Sequence, residues 1–409
     1  MKILLILLFF SQPIYSKDYI IKLKQNALYT GNATNIISYS KATYIVVNSD
    51  TLPNDPSFEF VEEDHDISIL TRNSPQKQEY FSKQWALENL GKNEPITPNR
   101  MSPVTSVTGI ETKSLEAWKL STGSKDITIA LVDTGVDLKH IELKENLWMN
   151  PLEANGLAGV DDDGNGFIDD INGFDFSAQD SIPQDENGHG THCACIIGAS
   201  HSQGKIAGVM ANVSIMPLRT LNKKGAGKVS QAIEAFIYAI ENGANIISNS
   251  WGSRGHSKIL EELIIDANAK GIHVVAAAGN ARFNNNDEAA TYPANYPGVI
   301  AVGAINARAR HAAYSSYGPK TMHLSAPGTN IISSHTLRKG ERYRVMSGTS
   351  MAAPYVSGAI GLYLSLNGKS QKPLFIRNAL IESATKLEHL KGMSVSEGML
   401  NVSEFLNIN

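Results

Sequence analysis

Hydrophobic and polar positions change period several times along the chain, and those changes lay out its elements. Short runs rich in β-branched and aromatic residues come first, at 19–23, 42–47 and 58–61, and predict strands. Residues 80–113 hold Pro95, Pro98 and Pro103 without a clear period, so an irregular stretch is expected there. Residues 115–118 suggest a short helix. From Asp126 onward, apolar runs of strand length alternate with segments of helical period. Residues 126–132 are apolar enough for a strand buried on both faces. Residues 214–219, 245–248, 273–278 and 299–302 predict further strands. Between them, residues 229–241 place Ile233, Phe236, Ile237 and Ile240 on one helical face and stop at Gly243. Residues 259–270 repeat the pattern and stop at Gly271, and residues 353–366 form a longer apolar helix. Alternating strands and helices predict an α/β fold, a mostly parallel sheet with helices on both faces.

In such sheets ligands bind at the carboxyl ends of the strands. Asp133, Ser250 and Asn280 all fall at those ends. Two further residues stand at helix starts: His189 opens a helix running through Ile197, and Ser350 lies in the Gly348-Thr349-Ser350 turn that leads into the apolar helix. An isolated Gly-Thr-Ser is a helix cap. The same place also offers unpartnered backbone N–H groups and the positive end of the helix dipole to a forming oxyanion. Asp, His and Ser in that order are one arrangement of a nucleophile-activating triad. A histidine of pKa about 6.5 can take the serine proton and return it to a leaving amine, while a carboxylate fixes its tautomer. Asn280 follows Ala276-Ala277-Ala278-Gly279, where its amide can reach an oxyanion beside Ser350. Losing such a donor typically costs about 3 kcal/mol of transition-state stabilisation.

The chain has 409 residues, 42% hydrophobic and 19% charged, with net charge −4. No Lys/Arg cluster stands out, so neither nucleic acid nor an anionic membrane surface is an expected partner. Lys2, the apolar run 3–10, the Gln12-Pro13 break and the small Ser16 read as a secretory signal over residues 1–16. The run is too short to span a bilayer, which takes about 20 residues. Export to the outside of the cell, or to a periplasm, follows. The two cysteines, Cys193 and Cys195, project about 160° apart on a helix, so two free thiols are expected. Residues 17–72 form a first small unit, 71–79 a polar connector, and 73–409 the main domain.

The loop Asp161-Asp162-Asp163-Gly164-Asn165-Gly166 has the alternation of oxygen side chains that hard cations take. Asp161, Asp163 and Asn165 fit the first, third and fifth positions of a Ca²⁺ loop, Gly166 the turn, Phe167 a backbone carbonyl and Asp169 the ninth position. Asn172 stands where a bidentate glutamate would complete the loop, which leaves Asp170 or Asp175 to compensate.

The segments 129–137, Asn187-Gly188-His189-Gly190-Thr191-His192 and Gly348-Thr349-Ser350-Met351-Ala352-Ala353-Pro354 resemble the three signatures of subtilisin-like serine proteases. The linking elements match from residue 85 to residue 401. The resemblance implies a subtilisin-like fold and a secreted endopeptidase that forms an acyl-enzyme. Asp133 would orient, His189 (matching the first histidine of its motif, unlike His192) would act as base and acid, Ser350 as nucleophile, and Asn280 in the oxyanion hole. Gly225 and Gly227 match one edge of a cleft for an extended peptide, and Ser250, Trp251 and Gly252 the other. Ala277 and Gly279 lie in the wall of the primary specificity pocket and Thr291 on its floor. No acidic residue falls there, so apolar or medium-sized substrate side chains are expected.

Residues 17–72 resemble the small α+β propeptide that templates folding and blocks the cleft. The match places the processing bond after Leu70, with Ile67 upstream, or at 71–73. The implied partners are polypeptide substrates and the protein's own propeptide, and a monomer is expected. Calcium loops like that at Asp161 recur in secreted members. Glu142 replaces the aspartate of the family's strong calcium site, and residues 200–205 lack a ligand set, so that second site is not expected. Cys193 resembles a branch with a thiol beneath the catalytic histidine, and Cys195 stands where many members have glycine.

Other classes fit less well. Asp133-Thr134-Gly135 is also an aspartic-protease triplet, but it occurs once and that chemistry needs two carboxylates. His189 and His192 lack the glutamate of a zinc-hydrolase helix. A binding protein on the same fold would not need all four catalytic positions.

Overall fold

The computed structural model describes residues 17–24, 31–32, 35–39, 42–49, 51–63, 79–202, 204–281, 286–338 and 341–408. The expected signal segment 1–16 and processing bond near Leu70 lie outside them. The chain divides into two compact units, residues 1–71 and 72–409.

In the first unit, strands Lys17–Leu23, Asn35–Tyr39, Ala42–Ser49 and Phe58–Glu63 form an antiparallel sheet. The first strand lies between the third and fourth, with Tyr19 opposite both Val47 and Glu63. Its period of two puts Ile21 and Leu23 on one face, buried with Val47 and packed by Phe58 and Val61.

The second unit is built on a nine-stranded sheet. Its pairs are parallel except at one edge, where Thr385–Lys386 runs antiparallel to Gly398–Met399. The strand Gly123–Asp133 sits between Asn212–Arg219 and Ile246–Asn249. Its side chains alternate between two cores. Ile129 and Leu131 pack with Ile197 and Ile360, from helices His189–Gly198 and Thr349–Asn367. Ala130 and Val132 pack with Phe236 and Ile264, from helices Val229–Glu241 and Lys258–Ala269 on the other face. Ile129, Ala130, Leu131 and Val132 are fully buried, as a run apolar on both faces requires.

Several details differ from the sequence reading. Helix Val229–Glu241 has the expected bounds, and of its expected face Phe236 is fully buried and Ile233 and Ile240 pack partly buried against the same core; Ile237 is exposed, and Ala232, Ala235, Tyr238 and Ala239 complete the buried face. Residues 80–113 are not wholly irregular: Asn93–Thr97 and Arg100–Thr105 form a two-stranded ribbon. Each of its strands has one partner, which tolerates Pro95 and Pro103. A second hairpin, Ile331–Arg338 with Glu341–Met346, leads into the long helix. That helix begins at Thr349, four residues before its apolar period, and is buried nearly all round. Among the described residues no helix is long and apolar enough to cross a membrane.

Candidate active site

Asp133 ends the strand Gly123–Asp133, His189 is the first residue of its helix, and Ser350 the second of its own. Asn280 follows the strand His273–Ala277. The fold thus brings the four residues to the carboxyl end of the sheet. Asp133 is fully buried. Its Oδ1 lies 2.7 Å from His189 Nδ1 and also accepts the Thr134 N–H at 2.7 Å. Burial works against protonating His189, and the adjacent Asp133 carboxylate overrides it, holding the imidazole pKa well above its ordinary value.

The histidine helix is clamped to the strand end by Asp185, which the sequence reading did not single out. One Asp185 oxygen accepts the Asn187 and Gly188 N–H groups at 2.8 Å, and the other accepts Thr191 N–H at 2.9 Å and its hydroxyl at 2.7 Å. Thr134 completes the clamp, donating its hydroxyl to Asp185 at 2.9 Å and accepting the Gly190 N–H at 2.9 Å. A side chain at Gly190 would strike the Gly135 carbonyl, its Cβ falling 2.1 Å from that oxygen, so only glycine allows this approach. The available signal was an aspartate just ahead of a helix start.

His192 takes no part in this pair. It is fully buried, its Nε2 lies 3.2 Å from the carbonyls of Ile331 and Arg344, and burial pushes its pKa down to about 3. With two carbonyls there, Nε2 must carry the proton, and His192 ties the hairpin to the histidine helix.

At the nucleophile end, Pro354 stands four residues after Ser350 inside the helix. Proline has no N–H, so the Ser350 carbonyl cannot make its intrahelical bond. Two side chains supply the missing donors: Ser250 Oγ at 2.9 Å and Cys193 Sγ at 3.3 Å. The Ser350 hydroxyl in turn donates to the Ser250 carbonyl at 2.9 Å. For the hydroxyl to serve His189 instead, it would have to leave this acceptor, and catalytic hydrogen bonds commonly tighten only with substrate in place.

Asn280 Oδ1 accepts the Thr349 N–H at 2.9 Å and its hydroxyl at 3.0 Å, which fixes the orientation of the amide. Its Nδ2 is then turned toward Gly348. A Cβ at Gly348 would lie 3.3 Å from Asn280 Nδ2 and 3.6 Å from Ser350 N. Both nitrogens therefore border the space that glycine leaves open beside Ser350, where an oxyanion would need its donors.

The expected cleft residues are also brought together. Gly225, Gly227, Ser250, Trp251 and Gly252 line a cavity of about 560 Å³ with His189. Ser250, Trp251, Gly252, Ala277, Gly279 and Thr291 line a second, of about 370 Å³, with Asn280 and Ser350. Both cysteines are free and buried, and burial raises the Cys193 thiol pKa. Cys193 Sγ lies 3.9 Å from His189 Nδ1.

The acidic loop gathers a different set from the one expected. Carboxylate oxygens of Asp161, Asp163 and Glu153 lie within 4.8 Å of one another. Asp169 is not in that group: φ is 54° there and its carboxylate accepts the Gly159 N–H at 2.9 Å. Asn165 spends its oxygen on the Phe167 N–H at 2.7 Å, and its amide donates to Asp163 and Asp170. The Phe167 ring packs against Phe174, Phe176 and Tyr238. Asp170 is buried and accepts from Asn150 and Tyr238. Glu142, at the second calcium position, accepts the Lys205 N–H at 2.6 Å and the Tyr343 hydroxyl at 2.7 Å.

A buried carboxylate–imidazole pair and a helix-start serine flanked by a side-chain amide can together carry acyl transfer. Comparison with known proteins gives the class. Residues 124–399 match the subtilase family. The chain is 38% identical over 272 residues to the thermophilic serine proteinase of Bacillus sp. (strain AK1), across 66% of this chain and 59% of that protein. It is 31% identical over 277 residues to subtilisin DY of Bacillus licheniformis, across 68% and 89%. The crystal structure of a cold adapted subtilisin-like serine proteinase aligns with TM-score 0.58 and 25% identity, over 78% of this chain and 97% of that one. The chain belongs to the subtilase family, and so to the serine endopeptidases.

Two outcomes follow from the geometry. Because His189 must be neutral to accept a proton, kcat/KM should fall on the acid side with a midpoint above the ordinary histidine value. Asp133→Asn removes the charge that raises it: the acid limb should move to lower pH while kcat drops about 10⁴-fold. A pH–rate profile of both proteins on one peptide checks this. Secondly, a mercurial should inhibit by reaching Cys193 beside the pair, and Cys193→Ala should be resistant, read as residual activity at excess reagent.

Proposed function

We propose that this chain hydrolyses peptide bonds through Asp133, His189 and Ser350, and is made as an exported, self-processing precursor. Ser350 Oγ attacks the scissile carbonyl while His189 takes its proton. The C–N bond then breaks, His189 protonates the leaving amine, and an acyl-enzyme remains. Water, deprotonated by His189, releases the acid and restores the serine. Asp133 holds the proton on Nδ1 so that the other ring nitrogen faces the reaction, and stabilises the imidazolium. Asn280 Nδ2 and the Ser350 N–H take the oxyanion. The observation that carries this reading is the 2.7 Å contact between fully buried Asp133 and His189, at the same end of the sheet as Ser350 and Asn280.

Residues 1–16 serve as the signal peptide and 17–72 as the inhibitory propeptide, with catalytic residues on 73–409 working as a monomer on polypeptides. The run 3–10 and the strand-rich first unit support this division. Ca²⁺ fits the Asp161 loop, with Asp161, Asp163 and Glu153 as its carboxylates, since three carboxylates gathered within 4.8 Å repel one another without a cation. Bound there, it would neutralise the loop and fix it structurally.

Ser350→Ala should accumulate a folded precursor with residues 17–72 still attached and lose about 10⁶-fold in kcat, measured by N-terminal sequencing and peptide hydrolysis. Normal processing in cis would sink the mechanism. Chelation should lower the melting temperature and added Ca²⁺ restore it, a response weakened in Glu153→Gln, and an unchanged melting curve would reject the site.

A further inference from the structure

The larger cavity beside His189 is bordered by residues 224–229, and among its lining residues are Lys224 and Lys228 but no aspartate or glutamate. Both lysines are exposed. Lys228 is the N-cap residue of helix Val229–Glu241, whose first turn holds no acidic residue; Gln231 accepts the Lys228 N–H at 2.8 Å, but no side-chain charge offsets the positive end of that dipole. Val229 and Ala232 of the same turn line the cavity too. Carboxylates adjoining the lining residues in the chain are engaged elsewhere. Glu186 pairs with Arg219 at 2.6 Å, Glu234 accepts from Gln179 at 3.1 Å, and Asp185 holds the histidine helix. No ion pair among the described residues engages Lys224 or Lys228. The smaller cavity is also lined by a cation, Arg254, which donates to the Ala289 carbonyl at 2.7 Å. The positive cleft stands against a chain whose net charge is −4.

We infer that the enzyme selects peptides with acidic residues on the acyl side of the scissile bond, read by Lys224, Lys228 and the start of helix Val229–Glu241. This rests on the endopeptidase reading and deepens it. The two cavities share residues 250–253, so a strand with one side chain in the smaller cavity continues along that edge into the larger. The chain itself carries such a sequence. Glu62, Glu63, Asp64 and Asp66 precede the proposed processing bond after Leu70. Asp66 stands four residues upstream, about 13 Å along an extended strand, beyond the side chains the cavity itself would hold. The acidic group is then placed for the lysines at the rim, while Ile67 and Leu70 supply the apolar contacts.

The test uses the processed enzyme and two peptides supplied in trans: residues 62–72, and the same peptide with Gln or Asn replacing Glu62, Glu63, Asp64 and Asp66. Products are identified by mass spectrometry. The acidic peptide should have about tenfold higher kcat/KM at low ionic strength, since each exposed charge pair contributes modestly, and the ratio should shrink with salt. In the Lys224→Glu/Lys228→Glu double variant the ratio should fall to one or below, with the neutral peptide reporting that the variant is folded. Equal rates in the parent enzyme, or a ratio indifferent to the two lysines, would overturn the inference and leave the endopeptidase reading standing. Cleavage of neither peptide, with no activity dependent on Ser350, would remove the reading beneath it.

Discussion

One carbonyl oxygen holds the site together. Pro354 leaves the Ser350 carbonyl without a helical partner, and a buried acceptor left unpaired costs about 1–3 kcal/mol. Ser250 and Cys193 satisfy it, one from a strand end and one from the histidine helix. The first turn of helix Thr349–Asn367 is therefore positioned by two other elements as well as by its own backbone. Ser250 acts twice, because its carbonyl also receives the Ser350 hydroxyl. A shift of this turn would break both bonds and move Ser350 relative to Asn280. The raised pKa of Cys193 fits the same constraint: a thiolate has no proton to give a carbonyl, and burial keeps the thiol.

The acid–base pair obeys a related rule. A carboxylate buried as completely as Asp133 requires close compensation, and it has the imidazole and a backbone N–H. Asp185 works one layer further out, fixing four groups at the start of the histidine helix. With Thr134 it couples strand end to helix start, so the 2.7 Å contact between Asp133 and His189 follows from two rigid elements meeting. The hairpin bonded to His192 braces the same helix from its other side.

What the sequence makes legible follows from period. The strand through 129–132 is apolar at every position and lies buried on both faces. Helix Val229–Glu241 declares its ends through lost period and a terminal glycine, and its period finds Ile233, Phe236 and Ile240 on the core side; Ile237 falls outside, and the alanines of the same face carry too little apolar signal to mark it. The ribbons at 93–105 and 331–346 have no amphipathic pattern of helical or buried-sheet kind to betray them. The motif residues come to one end of the sheet because Asp133 ends a strand, Asn280 follows one, and His189 and Ser350 start helices. Glu153 escapes a reading of the sequence for a different reason: its partners are defined by folding back of a loop, as when it accepts the N–H of Asp169, and neither periodicity nor local motif encodes such a meeting.

The cleft separates two functions along one edge. Ser250 both braces the nucleophile and lines the two cavities, so substitution there would disturb chemistry and binding together. The opposite edge carries no such double duty. Lys224 and Lys228 flank glycines in a turn, exposed, ahead of a helix whose packing depends on Ala232, Ala235 and Ala239. Charge on that edge can change without moving the buried alanines or the carbonyl contacts under Ser350. Under the proposed reading, selection among peptides is thereby placed where the fold can vary it, and bond cleavage where the fold cannot.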